Sequence, residues 1–209
     1  MGLTKAEIPN YWTTRAQDYD RRRWWGPGAA TPEEHIKQVA DRAEFIFETC
    51  PRTLRTLDYG CGIGRYSKYF EADKYRGVDI SGPYLEIARK DNPGREFVQI
   101  ASPVWDELLD WDIEIFFTAT VLQHCSDEVV DRLFANLAKK QPNRFALSLY
   151  EYANPAWTCR QTMGRTPAEY VKMVGKHFHI VSSMSQDHMI HGTCCAHTII
   201  SVAPAELET

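Results

Sequence analysis

The chain has 209 residues, with 24 Lys and Arg against 28 Asp and Glu and a formal charge of −4. A hydrophobic share of 44% with 25% charged residues is that of a soluble globular protein with a full core, which excludes disordered and fibrous classes. The acidic balance argues against sequence-independent nucleic-acid binding, and no apolar run reaches the roughly 18–20 residues of a membrane span.

The first fifty residues differ in texture from the rest. Residues 8–20 read as a short helix with Tyr11, Trp12, Ala16 and Tyr19 on overlapping faces. The run Arg21-Arg22-Arg23-Trp24-Trp25-Gly26-Pro27-Gly28 then breaks the helix. A second helix opens at Thr31-Pro32-Glu33-Glu34, with a cap residue, proline at the first helical position and Glu three after the cap. Its stripe of Ile36, Val39, Ala43 and Ile46 keeps helical spacing. From Pro51 onward, strand-like runs alternate with helical segments. Strands are predicted at residues 53–58, 75–78, 96–100, 113–117 and 144–150, and helices at 64–70, 83–90, 104–109 and 126–139. Ser126 caps the last of these helices, and Thr166-Pro167-Ala168-Glu169 opens another. Two final runs, residues 177–183 and 193–202, lie too close for a crossover helix and should form an antiparallel hairpin near an edge. The expected fold is α/β: a Rossmann-like, doubly wound, mostly parallel seven-strand sheet with an N-terminal helical lid. Residues 1–50 form the lid or cap segment in this reading, and residues 51–209 the core.

Residues 1–10 lack the pattern of a secretory signal, and the six cysteines contain no C-x-x-C pair. Reduced thiols in a cytoplasmic protein are the expectation. The pattern sets no oligomeric state.

The sharpest feature is Leu57-Asp58-Tyr59-Gly60-Cys61-Gly62-Ile63-Gly64-Arg65-Tyr66, which ends the first strand and opens a helix. Glycines there let the backbone turn tightly and bring N–H groups close to a ligand. The spacing is G-x-G-x-G, not G-x-G-x-x-G, and Asp58 precedes the first glycine by two residues. A carboxylate at that place would repel a pyrophosphate but accept hydrogen bonds from an ammonium group, so an amino-acid-bearing nucleoside suits it better than NAD. A second acid, Asp79, closes the next strand, where carboxylates of doubly wound folds bind ribose hydroxyls.

These residues resemble the class I S-adenosylmethionine-dependent methyltransferases of small molecules. The resemblance implies S-adenosyl-L-methionine as cofactor. It places Asp58 and the loop of Gly60, Cys61, Gly62 and Gly64 on the methionine part, Asp79 on the ribose and Ile80 on the adenine. Ser102, after the third strand, stands where many members carry an acid near the adenine amino group. The segment 118–124, with Thr118, Leu122 and His124, resembles the one lining the cofactor and acceptor pocket. Tyr11 and Arg15 belong to a stretch resembling a lid helix, whose Tyr and Arg reach the methionine carboxylate.

His124 is a candidate general base for the acceptor, weighed against a histidine that merely shapes the pocket. Trp25, Tyr152, Arg160, His188 and His191 are candidate acceptor contacts, and the loop 151–165 also offers Glu151, Trp157 and Arg165. The spacing His188-x-x-His191-x-x-Cys194 invites a metal, but alternate strand positions face opposite ways, so no metal is expected. Arg21 to Trp25 mixes cations and aromatics as single-strand binders do, yet one such patch gives little counterion release. The expected function is therefore methyl transfer to an O, N or C atom of a small molecule, with no membrane or nucleic-acid partner. The alternatives are a nucleic-acid or protein methyltransferase, an aminopropyl or carboxymethyl transferase, and a non-catalytic binding module on the same fold.

Overall fold

A computed structural model describes residues 3–17, 32–105, 111–141, 143–154, 156, 162–190 and 193–204. Two helices come first, α1 (Glu7–Gln17) and α2 (Pro32–Phe47). Thr4 starts α1: its backbone N–H and its hydroxyl both donate to the Glu7 carboxylate, at 3.0 and 2.9 Å. The sheet follows as β1 (Thr56–Tyr59), β2 (Tyr75–Asp79), α3 (Gly82–Asp91), β3 (Glu96–Gln99), β4 (Ile115–Ala119), α4 (Asp127–Lys140) and β5 (Phe145–Tyr152). The chain then runs through α5 (Pro167–Val174) into β6 (Phe178–Ile190) and β7 (Thr193–Pro204). The strand order is β3-β2-β1-β4-β5-β7-β6, with the first five strands parallel and β7 antiparallel to both neighbours. This is the expected seven-strand Rossmann-like sheet with its closing hairpin, and β6 is the edge.

Strand alternation sorts the side chains onto two faces. Leu57, Tyr59, Phe116, Leu147 and Ile200 pack beneath α4 and α5. Tyr75, Phe97, Ile115, Phe117, Tyr150 and Cys195 pack on the other face against α2 and α3. α4 buries Val129, Val130, Leu133, Phe134 and Leu137, each contributing roughly 1.5–3 kcal/mol. Ser126 caps it through the Val129 N–H, and Thr166 and Glu169 form a complete capping box on α5. Val39, Ala43, Ile46 and Phe47 of α2 lie inside the second core, so among the described residues α1 is the helix that covers the cleft.

Two predicted helices differ. Residues 64–70 form turns and a 3₁₀ segment (Ser67–Tyr69) instead of an α-helix. Gly64 enters with φ 74°, and the following bonds all span three residues, such as Ser67 N–H to Gly64 O at 3.1 Å. The tighter turn lets Tyr66 and Phe70 both bury against Phe117. Val104 and Trp105, the predicted start of another helix, lie in a turn with Trp105 at φ 51°; the rest of that prediction falls outside the described residues. Residues 18–20 of the first predicted helix also lie outside them.

Candidate functional site

The sheet order reverses at β1, where the chain crosses from β2 and β3 on one side to β4 and β5 on the other. Ligands of open α/β sheets bind in the crevice outside the carboxyl ends of strands at such a switch point. A cleft of about 390 Å³ lies there, lined by the ends of β1, β2 and β4 and covered by α1.

The glycine loop forms its floor. The Gly60 and Cys61 N–H groups both donate to Val78 O, at 2.8 and 3.0 Å, folding the loop back over β2. Gly62 stands at φ 55°, and a Cβ there would meet nothing within 4 Å, so its backbone is open to the cleft. Its N–H donates to Asp79 Oδ2 at 2.8 Å, and the Ser81 N–H donates to Asp79 Oδ1 at 2.8 Å. These two bonds fix the carboxylate at the end of β2. Asp58, at the end of β1, accepts from the Tyr75 hydroxyl at 2.7 Å.

Burial dominates the electrostatics. It pushes the Asp58 carboxyl up to about 7, with the Tyr75 hydrogen bond opposing it and the charge of Asp79 adding to it. Burial raises Asp79 as well, against the pull of the Ser81 and Gly62 N–H groups. The Cys61 thiol is pushed well above its usual range by burial and by the two carboxylates, so it stays neutral.

Above the floor, α1 presents Tyr11, Trp12 and Arg15 to the cleft. The Arg15 guanidinium donates to the Tyr11 hydroxyl. Opposite, a turn of residues 121–125 joins β4 to α4, and the His124 ring meets Trp12 edge-on at 5.0 Å between centroids. Thr120, just before this turn, is held at φ 60° by a 2.7 Å bond from its N–H to Tyr150 O. A left-handed threonine at a cleft wall is backbone strain of the kind that clusters at functional sites.

The cleft brings together Tyr11, Arg15, Asp58, Gly60, Cys61, Gly62, Asp79, Ile80 and His124 from the sequence-predicted set. It does not bring in Gly64, Ser102, Thr118, Leu122, Tyr152 or His188. A Cβ on Gly64 would meet Phe97 at 2.8 Å, so that glycine serves close packing. Ser102 turns its hydroxyl to the Val104 N–H at 3.4 Å, and its neighbour Pro103 lines the cleft instead, tied to the Tyr59 hydroxyl. Thr118 points to the opposite side of β4, donating to Glu151 at 2.8 Å, and Leu122 is fully buried in the core. The Tyr152 N–H donates to the Gln123 side chain at 3.0 Å. His188 stacks on Phe45 at 4.2 Å and bonds the Tyr150 hydroxyl at 2.9 Å, beneath the sheet. Trp25, Arg160 and His191, and the arginine–tryptophan run 21–25, lie outside the described residues. Glu151 and Arg165 are buried rather than offered to an acceptor. Arg42, Arg65, Tyr66, Tyr84, Ile100 and Thr162 also line the cleft, unforeseen. Arg65 and Tyr66 close the glycine motif and Tyr84 lies three residues after Ser81, and that proximity is the signal that could have assigned them to the site.

Residues 57–140 match the family model of the methyltransferase domain. No curated protein matches the chain in sequence. Among solved structures, phosphoethanolamine N-methyltransferase 1 of Haemonchus contortus, in complex with phosphoethanolamine and S-adenosylhomocysteine, superposes with a TM-score of 0.69 at 14% identity. That match covers 99% of this chain, which spans only 51% of the Haemonchus protein. The DhpI–S-adenosylhomocysteine complex gives 0.69 at 16% identity over 95% of this chain and 96% of that one. Magnesium protoporphyrin IX methyltransferase from Synechocystis PCC 6803, with bound S-adenosylhomocysteine, gives 0.61 at 17% over 93% and 97%. At these identities the likeness to solved structures is one of fold. Among the described residues no helix is long and apolar enough to cross a membrane. Glycine loop, switch-point cleft and the match over residues 57–140 agree: that stretch is similar to the methyltransferase domain, and the sheet around it has the Rossmann-like fold of the solved class I methyltransferases.

Proposed function

We propose that the protein transfers the methyl group of S-adenosylmethionine to an oxygen, nitrogen or carbon of a small molecule. The observation that carries this reading is the meeting of two buried carboxylates, Asp58 and Asp79, with the open Gly62 backbone in one switch-point cleft. The residues fit the cofactor's chemistry. Asp79, oriented by two backbone donors, keeps acceptor capacity for ribose hydroxyls, and Asp58 can accept from the amino group. Ile80 and Ile100 offer apolar surface to the adenine. The uncovered Gly62 leaves room for close backbone approach. When bound, the cofactor supplies an electrophilic methyl carbon on a positively charged sulfur.

The chain's own work is then positioning. Tyr11 and Arg15, bonded to each other on α1, take the methionine carboxylate, and α1 with its neighbours in residues 1–50 keeps water out of the cleft. The remaining residues, 51–209, form the binding core. His124 borders the acceptor end and can accept a proton from an acceptor that carries one on its reacting atom. The acidic chain and the small-molecule names of the Haemonchus and Synechocystis enzymes support a small acceptor over nucleic acid. The free thiols Cys50, Cys61, Cys125, Cys194 and Cys195 suit a reducing, cytoplasmic setting.

Calorimetric titration with S-adenosylmethionine and S-adenosylhomocysteine, with NAD as control, tests the reading. Micromolar binding of both and none of NAD is expected, followed by an acceptor screen for products heavier by one methyl group. Asp79→Ala should weaken both nucleosides by at least about tenfold, since it removes charge-assisted bonds. Absence of binding by the wild-type protein overturns the function, and unchanged affinity in the variant overturns the ribose assignment.

A further inference from the structure

The turn of residues 121–125 has a complete backbone account. On one side stands Glu151, at the end of β5. Its Oε1 accepts from the N–H groups of Val121 and Leu122, each at 3.0 Å, and from the Thr118 hydroxyl at 2.8 Å; its Oε2 accepts from the Gln123 N–H at 3.2 Å. On the other side stands Arg165, just before α5. Its guanidinium donates to Leu122 O at 2.8 Å, to Cys125 O at 2.6 Å and to Asp127 Oδ1 at 2.8 Å. The Gln123 carbonyl accepts from the Met163 N–H at 2.6 Å, and the His124 carbonyl from the Leu3 N–H at 3.0 Å. The last two N–H groups, of His124 and Cys125, close the turn on Val121 O and Leu122 O.

Both charged residues are buried, Glu151 at 2% exposure and Arg165 at 4%. Burying a carboxylate and a guanidinium is costly unless each is fully hydrogen-bonded, and replacing such groups with apolar ones often stabilises a fold. Stability alone therefore does not account for them. What they do is geometric: the anion gathers the turn's donors and the cation gathers its acceptors. The segment between them carries the one histidine that lines the cleft among the described residues. Across the cleft its ring meets Trp12 of α1 edge-on.

We infer that Glu151 and Arg165 are positioning residues that hold His124 at the acceptor end of the cleft, acting through the backbone of the 121–125 turn. The inference rests on the methyltransferase reading for what His124 faces, but the placement itself is observable without any ligand.

The test uses the full chain labelled with ¹³C-histidine, with the His124 ring signal identified by its absence in His124→Gln. Glu151→Gln keeps the shape but turns an amide N–H₂ toward backbone donors. Arg165→Lys keeps the charge but loses the fork that spans Leu122 and Cys125. In both variants the His124 signal should shift or broaden while the other histidine signals stay in place. S-adenosylhomocysteine affinity should stay within about twofold of wild type, because neither residue touches the cofactor end. A folded variant pair with an unmoved His124 signal overturns the inference. So does loss of cofactor affinity in both variants, which would assign the clamp to cofactor binding, and so does failure of both to fold, which would assign it to stability. If wild type itself fails to bind S-adenosylhomocysteine, the function falls while the His124 signal still decides the clamp.

Discussion

At the scale of single residues, Asp58 carries the sharpest pH dependence. Burial pushes its carboxyl up to about 7, so near neutrality the free protein holds it partly protonated. An ammonium group arriving beside it favours the ionised form and lowers that value in the complex. The bound state then holds fewer protons than the free one, so affinity must rise with pH up to about 7 and level off above it. Titration of S-adenosylhomocysteine between pH 5.5 and 8 should show that rise, with proton release near pH 6.5 read from buffers of different ionisation heat. Asp58→Asn should flatten the profile, and a wild-type profile already flat would show that Asp58 meets no ammonium. The motif around Asp58 was legible in the sequence because glycines and acids at fixed offsets mark a strand-to-turn junction. The division of labour among its glycines was not. Gly60 approaches Val121, Gly62 faces open space and Gly64 packs on Phe97, and each neighbour comes from a distant strand or turn.

At the scale of elements, the turn that follows α2 is tied to the sheet by a polar network. His197 on β7 is buried between Ser148, at 2.8 Å from Nε2, and Thr49, at 3.3 Å from Nδ1. Burial lowers its pKa to about 4, so the fold holds it neutral. The unfolded chain takes up a proton near pH 6.5, so this contribution is present above that pH and lost as pH falls toward 4. The loss amounts to at most about 3 kcal/mol. Denaturant midpoints measured from pH 7 to pH 4.5 should therefore fall more steeply in wild type than in His197→Gln, which keeps the bond to Ser148 without the charge. Parallel slopes would mean that the histidine finds a proton acceptor in the fold. Sequence reading placed these strands and the capped helices because period and caps are local signals. It missed the 3₁₀ segment after Gly64 and the turn at Trp105, since both follow from what Tyr66, Phe70 and Trp105 bury against, not from local propensity. The register that sets His197 opposite Tyr150 and beside Ser148 is likewise a property of the paired sheet.

Across the whole molecule, strand alternation foretold the doubly wound architecture, and the short final connection foretold the hairpin. The clamp formed by Glu151 and Arg165 was hidden because its two halves are brought together only when β5 and the entry to α5 close around one turn. That turn is also where the N-terminal segment is stitched on. Leu3 donates to His124 O and accepts from the Ser126 N–H, both at 3.0 Å, while α1 continues from Leu3 over the cleft to Tyr11 and Arg15. The helix α1, the His124 turn and the glycine loop therefore wall one cavity from three separate parts of the chain. A ligand filling that cavity must resist the opening of all three together. With S-adenosylhomocysteine at about 100 times its dissociation constant, openings that release it become about 100-fold rarer. Hydrogen exchange should accordingly slow by up to that factor in α1, residues 60–64 and residues 121–125. The β6–β7 hairpin, whose edge lies across the sheet from β1, should change only in exchange that needs global unfolding. Protection confined to the glycine loop would show that α1 does not close on the cofactor.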